Sequence, residues 1–197
     1  LSADGGELSV KGRFNPREQS YDAAIRADSF PLNSFLPADS LGIVDLALQA
    51  RGTGFDPLLP RTRTSLRAQI DRAEFGGRDF GGIELDAELD SQRLSGRISA
   101  RDEALRLLLS VSGTLTEREQ RIGLSGSVFG FDLAALGVSP EPIGGSFALD
   151  ASASAAGKGA YAARIALDSI EIRNKHRTDR IRPTSVSLHT DSAATPA

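Results

Sequence analysis

Ile83-Glu84-Leu85-Asp86-Ala87-Glu88-Leu89-Asp90, then Ser91-Gln92, then Arg93-Leu94-Ser95-Gly96-Arg97-Ile98-Ser99-Ala100-Arg101 is the stretch that decides the fold. Apolar and polar residues alternate strictly on both sides of the Ser91-Gln92 pair. After Asp102-Glu103-Ala104 the alternation resumes with Leu105, Leu107, Leu109, Val111, Gly113 and Leu115 on one side. After Glu117-Arg118-Glu119 it resumes again with Ile122, Leu124, Gly126 and Val128. A period of two with one apolar side predicts strands that bury one face and wet the other. Links of two or three polar residues make neighbouring strands antiparallel, because a parallel pair needs a crossover of about a dozen residues or more. The stretch predicts a β-meander.

The charges predict its register. With Ser91-Gln92 as a two-residue loop, Asp90 faces Arg93 and Asp86 faces Arg97, opposite-charge pairs worth roughly 0.2–1 kcal/mol each. A slip of one residue would put the whole Leu/Ile set in water, so the register is strongly specified.

Outward from this centre the same cadence recurs. Leu8, Val10 and Phe14 mark a first strand, Asn15-Pro16-Arg17-Glu18 a turn, and Tyr21, Ala23, Ile25 and Ala27 a second strand. Phe30 to Pro37 has apolar residues at helical spacing between two prolines and predicts one helical turn. Val44, Leu46, Leu48 and Ala50 predict a strand, and Phe55 to Pro60 a non-strand insert. Leu66, Ala68 and Ile70 predict another strand, continuing through Ala73 and Phe75 after a phase shift at Asp71-Arg72. Gly76-Gly77-Arg78-Asp79 predicts the turn into the central meander. Beyond it, Phe131 to Leu136 reads as a further helical turn. Gly145 to Ala153 and Tyr161 to Leu167 alternate as strands, with Gly157-Lys158-Gly159 turning between them and Ile170 and Ile172 beyond. Asn174 to Arg182 reads as a basic loop, Val186 and Leu188 as a last strand, and 191–197 as a linker.

An offset of 101 lays Val10 on Val111, Gly12 on Gly113, Tyr21 on Ile122, Phe30 on Phe131, Leu32 on Leu133 and Leu48 on Leu149. Further on the offset shrinks to 97, laying Asp71 to Phe75 on Asp168 to Ile172. A period near a hundred predicts a stacked, modular sheet, with approximate repeats 5–104 and 105–190 in a single unit 1–190.

The composition narrows function. The 197 residues include no Cys, Met or Trp, which removes disulfides, zinc-thiolate sites and cysteine nucleophiles. A net charge of −3 with interspersed signs gives no basic field for nucleic acid. The opening at Leu1 and the missing Met lead us to expect a segment of a longer protein. No run of about eighteen apolar residues occurs to predict a membrane-spanning helix.

Catalytic patterns are not found. His176 and His189 are the only histidines, and both read as solvent-facing. The carboxylates Glu84, Asp86, Glu88 and Asp90 stand ~6.6–7 Å apart along a strand and have arginines to face, so no metal is expected. Gly157-Lys158-Gly159 lacks the spacing of a phosphate loop, and Ser125-Gly126-Ser127 is no nucleophile elbow. The chain is expected to be neither an enzyme nor a cofactor binder. Its apolar face allows two readings: a sandwich or barrel with mutually buried faces, or a curved sheet whose hydrophobic face stays partly unfilled. Small inward residues such as Ala23, Ala50, Ala87, Gly96, Gly113 and Ala151 favour the second, because they leave room.

The Val-x-Gly strands, the Phe-x-Leu turns at Phe30 to Leu36 and Phe131 to Leu136, and the run Gly42 to Gly52 resemble the TamB family. These are the inner-membrane-anchored subunits of the bacterial translocation and assembly module, grouped with the AsmA-like proteins. The resemblance covers about residues 5–190. It implies an all-β fold, a long antiparallel meander curled into a taco or half-pipe with a hydrophobic interior and a few short helical turns. It further implies a periplasmic location, a parent anchored in the inner membrane of a Gram-negative bacterium, and phospholipid carried between the two membranes. Partners implied are an outer-membrane TamA-type barrel protein and client outer-membrane proteins. The groove would be lined by the inward set: Val44, Leu46, Leu48, Leu66, Ile70, Ile83, Leu85, Leu89, Leu94, Ile98, Leu105, Leu107, Leu109, Val111, Ile122, Leu124, Val128, Phe147, Leu149, Ile165 and Leu167. The alternative is a chaperone or scaffold module that pairs client β-strands at a sheet edge, or a packed structural β-domain. A homodimer of the isolated segment would be one way to cover so large an apolar face.

Overall fold

The computed structural model describes residues 2–3, 5–34, 41–157 and 160–190. The alternation becomes one antiparallel sheet of fourteen strands. In chain order these are β1 (Ser2–Ala3), β2 (Gly6–Asn15), β3 (Ser20–Pro31), β4 (Leu41–Thr53), β5 (Arg63–Phe75), β6 (Arg78–Phe80) and β7 (Ile83–Asp90). Then follow β8 (Arg93–Arg101), β9 (Leu105–Leu115), β10 (Glu119–Asp132), β11 (Gly144–Ala156), β12 (Ala160–Arg173), β13 (Thr178–Ile181) and β14 (Thr184–Thr190). The strands lie in the order they are made, except that β6 and β7 both pair β5 and β13 and β14 both pair β12. The sheet is a curled meander and does not close into a barrel.

The central stretch folds in the register the charges predict, with Asp90 facing Arg93 and Asp86 facing Arg97. Ser91 and Gln92 both take positive φ, 51° and 71°, the backbone of a type I′ hairpin turn. The ion pairs, however, close on the other neighbour. Asp90 Oδ1 accepts from Arg63 Nε at 2.8 Å, and Asp86 Oδ1 lies 3.1 Å from Arg67 Nε. Both arginines belong to β5, which faces β7 in register at Arg63–Asp90 and Arg67–Asp86. A carboxylate in mid-sheet has a neighbour on each side, and here β5 offers the better-placed guanidinium.

The phase shift expected at Asp71-Arg72 is a β-bulge. Leu46 faces Ile70 while Asp45 faces Arg72, so Asp71 is an extra residue on β5. Bulges recur at corresponding places. One extra residue lies on β3 between Ala27 and Phe30, and one on β10 between Val128 and Phe131. Those two sites are 101 residues apart. The arrangement of strands also returns every seventh strand. The short β6 pairs the far end of β5 while β7 pairs the rest, and β13 and β14 divide β12 in the same way.

Two expected helical turns are narrower than the sequence suggests, and one expectation is corrected. The helical turn over Phe30 to Pro37 is a short 3-10 turn at Leu32–Ser34; Phe30 and Pro31 end β3, and Phe35 to Pro37 lie outside the described residues. At Phe131 to Leu136, β10 runs on to Asp132, and a hydrogen-bonded turn follows. Asp132 Oδ1 accepts from the amides of Ala134 and Ala135, and one helical-type bond runs from Leu136 N–H to Asp132 C=O at 2.9 Å. The basic segment from Asn174 to Arg182 is a hairpin, not a loop. Asn174 Oδ1 takes the amides of His176 and Arg177 at the turn, and Thr178–Ile181 is β13, paired to Ile170–Arg173. The turn residues Lys158 and Gly159 and the tail 191–197 lie outside the described residues.

A candidate apolar face

Residues that face each other on neighbouring strands share a side of the sheet, so the register traces rows of side chains across the molecule. One row holds Val10, Ile25, Leu48, Ala68, Leu85, Ile98, Leu109, Gly126, Leu149 and Leu167. Toward the turn at Leu32 lies a second: Leu8, Ala27, Leu46, Ile70, Ile83, Ala100, Leu107, Val128 and Phe147. On the opposite flank a third holds Gly12, Ala23, Ala50, Leu66, Ala87, Gly96, Val111, Leu124, Ala151, Ile165 and Val186. A fourth, outermost, holds Phe14, Tyr21, Gly52, Thr64, Leu89, Leu94, Gly113, Ile122, Ala153, Ala163 and Leu188. Val44 and Leu105 continue the face beyond the bulges, facing Phe30 and Phe131. Every inward residue named from the sequence thus stands on one continuous side. With strands ~4.8 Å apart and alternate residues ~6.8 Å apart, the rows cover roughly 48 Å by 20 Å.

Burial is graded across these rows. Among the described residues the buried apolar side chains are Ala27, Phe30, Val44, Ala100, Ala104, Leu109, Val128 and Ile170. All but Leu109 lie in the row nearest the bulges or beyond it. The wall there is built by inserts. Phe30, Ala27 and Val44 form a cluster with Leu8, Leu32, Leu46 and Ala73 packed on it. The Phe131 and Phe147 rings meet at 6.1 Å. Asp102 ties the β8–β9 link to the chain beyond β6, accepting from the amides of Gly81 and Ala104 at 2.8 Å each. Arg78, at the start of β6, donates to the carbonyl of Ala135 at 2.6 Å, joining two inserts that lie 57 residues apart.

The opposite flank is treated differently in the two halves. Over the first half, the insert after β4 brings Phe55 onto the outermost row, its ring stacked on Tyr21 at 5.5 Å and tilted against Phe14 at 5.7 Å. Tyr21 Oη is bonded to Thr64 Oγ1 at 2.7 Å, and Gly52 makes room between them. A Cβ at Gly52 would strike the carbonyl of Arg63 and lie 2.8 Å from the Tyr21 hydroxyl. The insert is braced by Thr62, whose hydroxyl donates to Asp56 C=O at 2.5 Å, and by Gln92, which reaches Leu58 C=O at 2.5 Å. Over the second half the corresponding residues are bare: Ile122 is 43% exposed, Ile165 53%, Val186 68% and Leu188 67%. Elsewhere in the rows Val10 and Phe14 on β2 are exposed as well, at 66% and 60%, as are Gly12, Ala153 and Ala163, and the other inward residues are half-buried or belong to the buried set. In mid-face, Gly126 (φ +150°) sits where a Cβ would collide with the Leu108 carbonyl, so β9 and β10 approach closely only because it is glycine.

The other face is polar. On the first half it carries Arg51 near Asp22, Arg67 near Asp86 and Arg63 on Asp90; on the second it turns to Ser110, Ser112, Ser125, Ser127, Ser152 and Ser154. The N–H bond from Arg63, with a second bond from Ser91, holds the Asp90 carboxyl below its ordinary pKa. The bond from Arg72 Nε to Asp79 raises the arginine's pKa in turn. Glu84 Oε2 accepts from Ser99 at 3.4 Å. No group of three His, Asp or Glu able to hold a metal occurs among the described residues. His176 and His189 are exposed.

Compared with models of protein families, with curated proteins and with solved structures, the chain matches none.

Proposed function

We propose that the apolar face is a conduit for the acyl chains of phospholipids, and that the protein is a bridge segment carrying them between two membranes. The observation that supports this reading is the set of four apolar rows, which start on β2 and reach at least β11, two of them β14, with no second layer among the described residues laid over them. In a packed sandwich the large inward side chains would be fully covered; among the described residues none falls below 2% exposure. An acyl chain lying along the rows would lose water from both surfaces, at about 25 cal/mol per Å² or roughly 0.8 kcal/mol per methylene. The rows offer no polar group along most of their length to fix a chain at one place, which suits passage more than storage. On the resemblance drawn from the sequence, such a segment would lie in the periplasm of a Gram-negative bacterium, with a parent anchored in the inner membrane. A TamA-type outer-membrane barrel and client outer-membrane proteins would be its partners.

The test is native mass spectrometry of the protein purified from bacterial cells, with lipid extraction alongside. Phospholipid should co-purify with the wild type and be lost from Leu124→Arg, which charges the middle of the third row, and from Leu107→Arg. Ser112→Arg, on the polar face beside them, should keep it. Circular dichroism establishes that each variant folds. A lipid-free wild type, or lipid retained equally by Leu124→Arg and Ser112→Arg, would sink the reading.

A further inference from the structure

We propose that the hairpin joining β12 to β13 is a cationic foot that docks on a bilayer surface carrying anionic phospholipid. The hairpin lies outside the four rows, so the proposal stands without the acyl-chain reading. It is the second of two equivalent hairpins. In the first, Ala73 faces Phe80 across the turn between β5 and β6; in the second, Ile170 faces Ile181. The pairing is alike and the charges are not. From Ala73 to Gly81 there is one cation, Arg78, against the carboxylates of Glu74 and Asp79, a net charge of −1. From Ile170 to Arg182 there are five cations against Glu171 and Asp179, a net charge of +3 with His176 neutral. The whole chain carries −3, so everything outside this hairpin carries −6.

Contacts inside the protein engage the charges of the first hairpin and leave most of the second's unmet. Asp79 accepts from Arg72 Nε at 3.0 Å, and Arg78 donates to the Ala135 carbonyl at 2.6 Å. In the second hairpin only Arg177 is closely paired, its Nε 2.7 Å from Asp179 Oδ2. Arg173 and Arg180 share the one carboxylate of Glu171 at 3.8 and 3.9 Å, beyond hydrogen-bond range, with side chains 53% and 88% exposed. Lys175 and Arg182 are exposed and have no ion pair among the described residues. A layer of lipid phosphates supplies the acceptors these groups lack. Ile181, 48% exposed between Arg180 and Arg182, adds an apolar side chain of the kind that enters a headgroup layer. The footprint selects the partner. A compact positive patch on an otherwise acidic chain meets a flat anionic surface at one place, whereas a long polyanion would have no cationic track to follow.

The test is co-sedimentation of the full chain with vesicles of phosphatidylcholine, either alone or mixed in equal parts with phosphatidylglycerol. Each Lys or Arg brought to an anionic surface strengthens binding about fivefold. The wild type should bind the anionic vesicles at least about tenfold more tightly than the neutral ones. That preference should fade as salt approaches about 1 M, where the Debye length is only about 3 Å. Adhesion through the apolar rows is common to both kinds of vesicle and drops out of the ratio. The double variant Lys175→Glu with Arg182→Glu should abolish the preference. Lys11→Glu with Arg13→Glu changes the net charge equally but on β2, and should keep it. Lys175→Gln with Arg182→Gln should weaken anionic binding at least about tenfold, which keeps the test sound if the glutamate variant fails to fold by circular dichroism. No preference in the wild type, or equal losses in the hairpin and β2 variants, would overturn the proposal. So would a single-stranded oligonucleotide that binds the wild type more tightly than the anionic vesicles do at the same salt.

Discussion

The two halves of the sheet share a plan and differ in what covers it. In the first, Phe55 lies over Tyr21 and Phe14 and the outermost row is half-buried from Tyr21 to Thr64. In the second, the link between β11 and β12 is only a few residues long, and Ile122, Ala153, Ala163 and Leu188 are exposed. The strands themselves hardly differ. An antiparallel sheet fixes which residues share a face, while the length and content of its links decide how much of that face water reaches. Under the acyl-chain reading, the second half is where a chain would enter from the side.

Substitutions at equivalent places can break this comparison. The largest effect is expected at the closed wall. Phe30→Ala removes a ring only 3% exposed and should cost about 3–5 kcal/mol in urea unfolding, whereas Phe131→Ala, half-buried, should cost about 1–3 kcal/mol. Equal losses would mean that the two walls are packed alike. Next, Phe55→Ala removes two ring contacts, each worth about 0.5–1.5 kcal/mol beyond area. It should also raise binding of a hydrophobic dye, whereas Phe129→Ala, 57% exposed, should change dye binding little or lower it.

A smaller effect is expected on the charged face. Arg63→Ala should let the Asp90 pKa rise toward its ordinary value, read by NMR titration of that carboxyl. Because the folded-state pKa is depressed, the pair's stabilisation is present above the unfolded value, about 3.9. It is lost as pH falls through the folded value. Arg93→Ala should move the same titration less, since Arg93 acts on Asp90 through its charge alone, without the hydrogen bond that Arg63 gives.

The meander and its rows were legible because alternation and short links leave one solution. Leu85, Ile98 and Leu109 can share a face only if Ser91-Gln92 and Asp102-Glu103-Ala104 are tight connections. The partners of Asp86 and Asp90 were not legible, since arginines stand on both β5 and β8 and pattern alone does not choose between them. The strand β13 was hidden because Thr178 to Ile181 shows one apolar residue among charges; it pairs at an edge and needs no buried side. Nor could the pattern tell which stretch of the face is covered, because that depends on where Phe55 and its loop come to rest.

Among the described residues nearly every strand packs only on the strands beside it, and nearly all of those are adjacent in sequence. Such a molecule is quasi-one-dimensional: its stability is close to a sum of neighbour terms, with no central nucleus that must form at once. It can zip outward from the hairpin at Ser91-Gln92, paying little loop-closure entropy at any step. It should also fray inward from its ends. Amide exchange is therefore expected to be slowest in β8 and β9 and fastest in β2 and β14, a protection profile that rises and falls once along the chain.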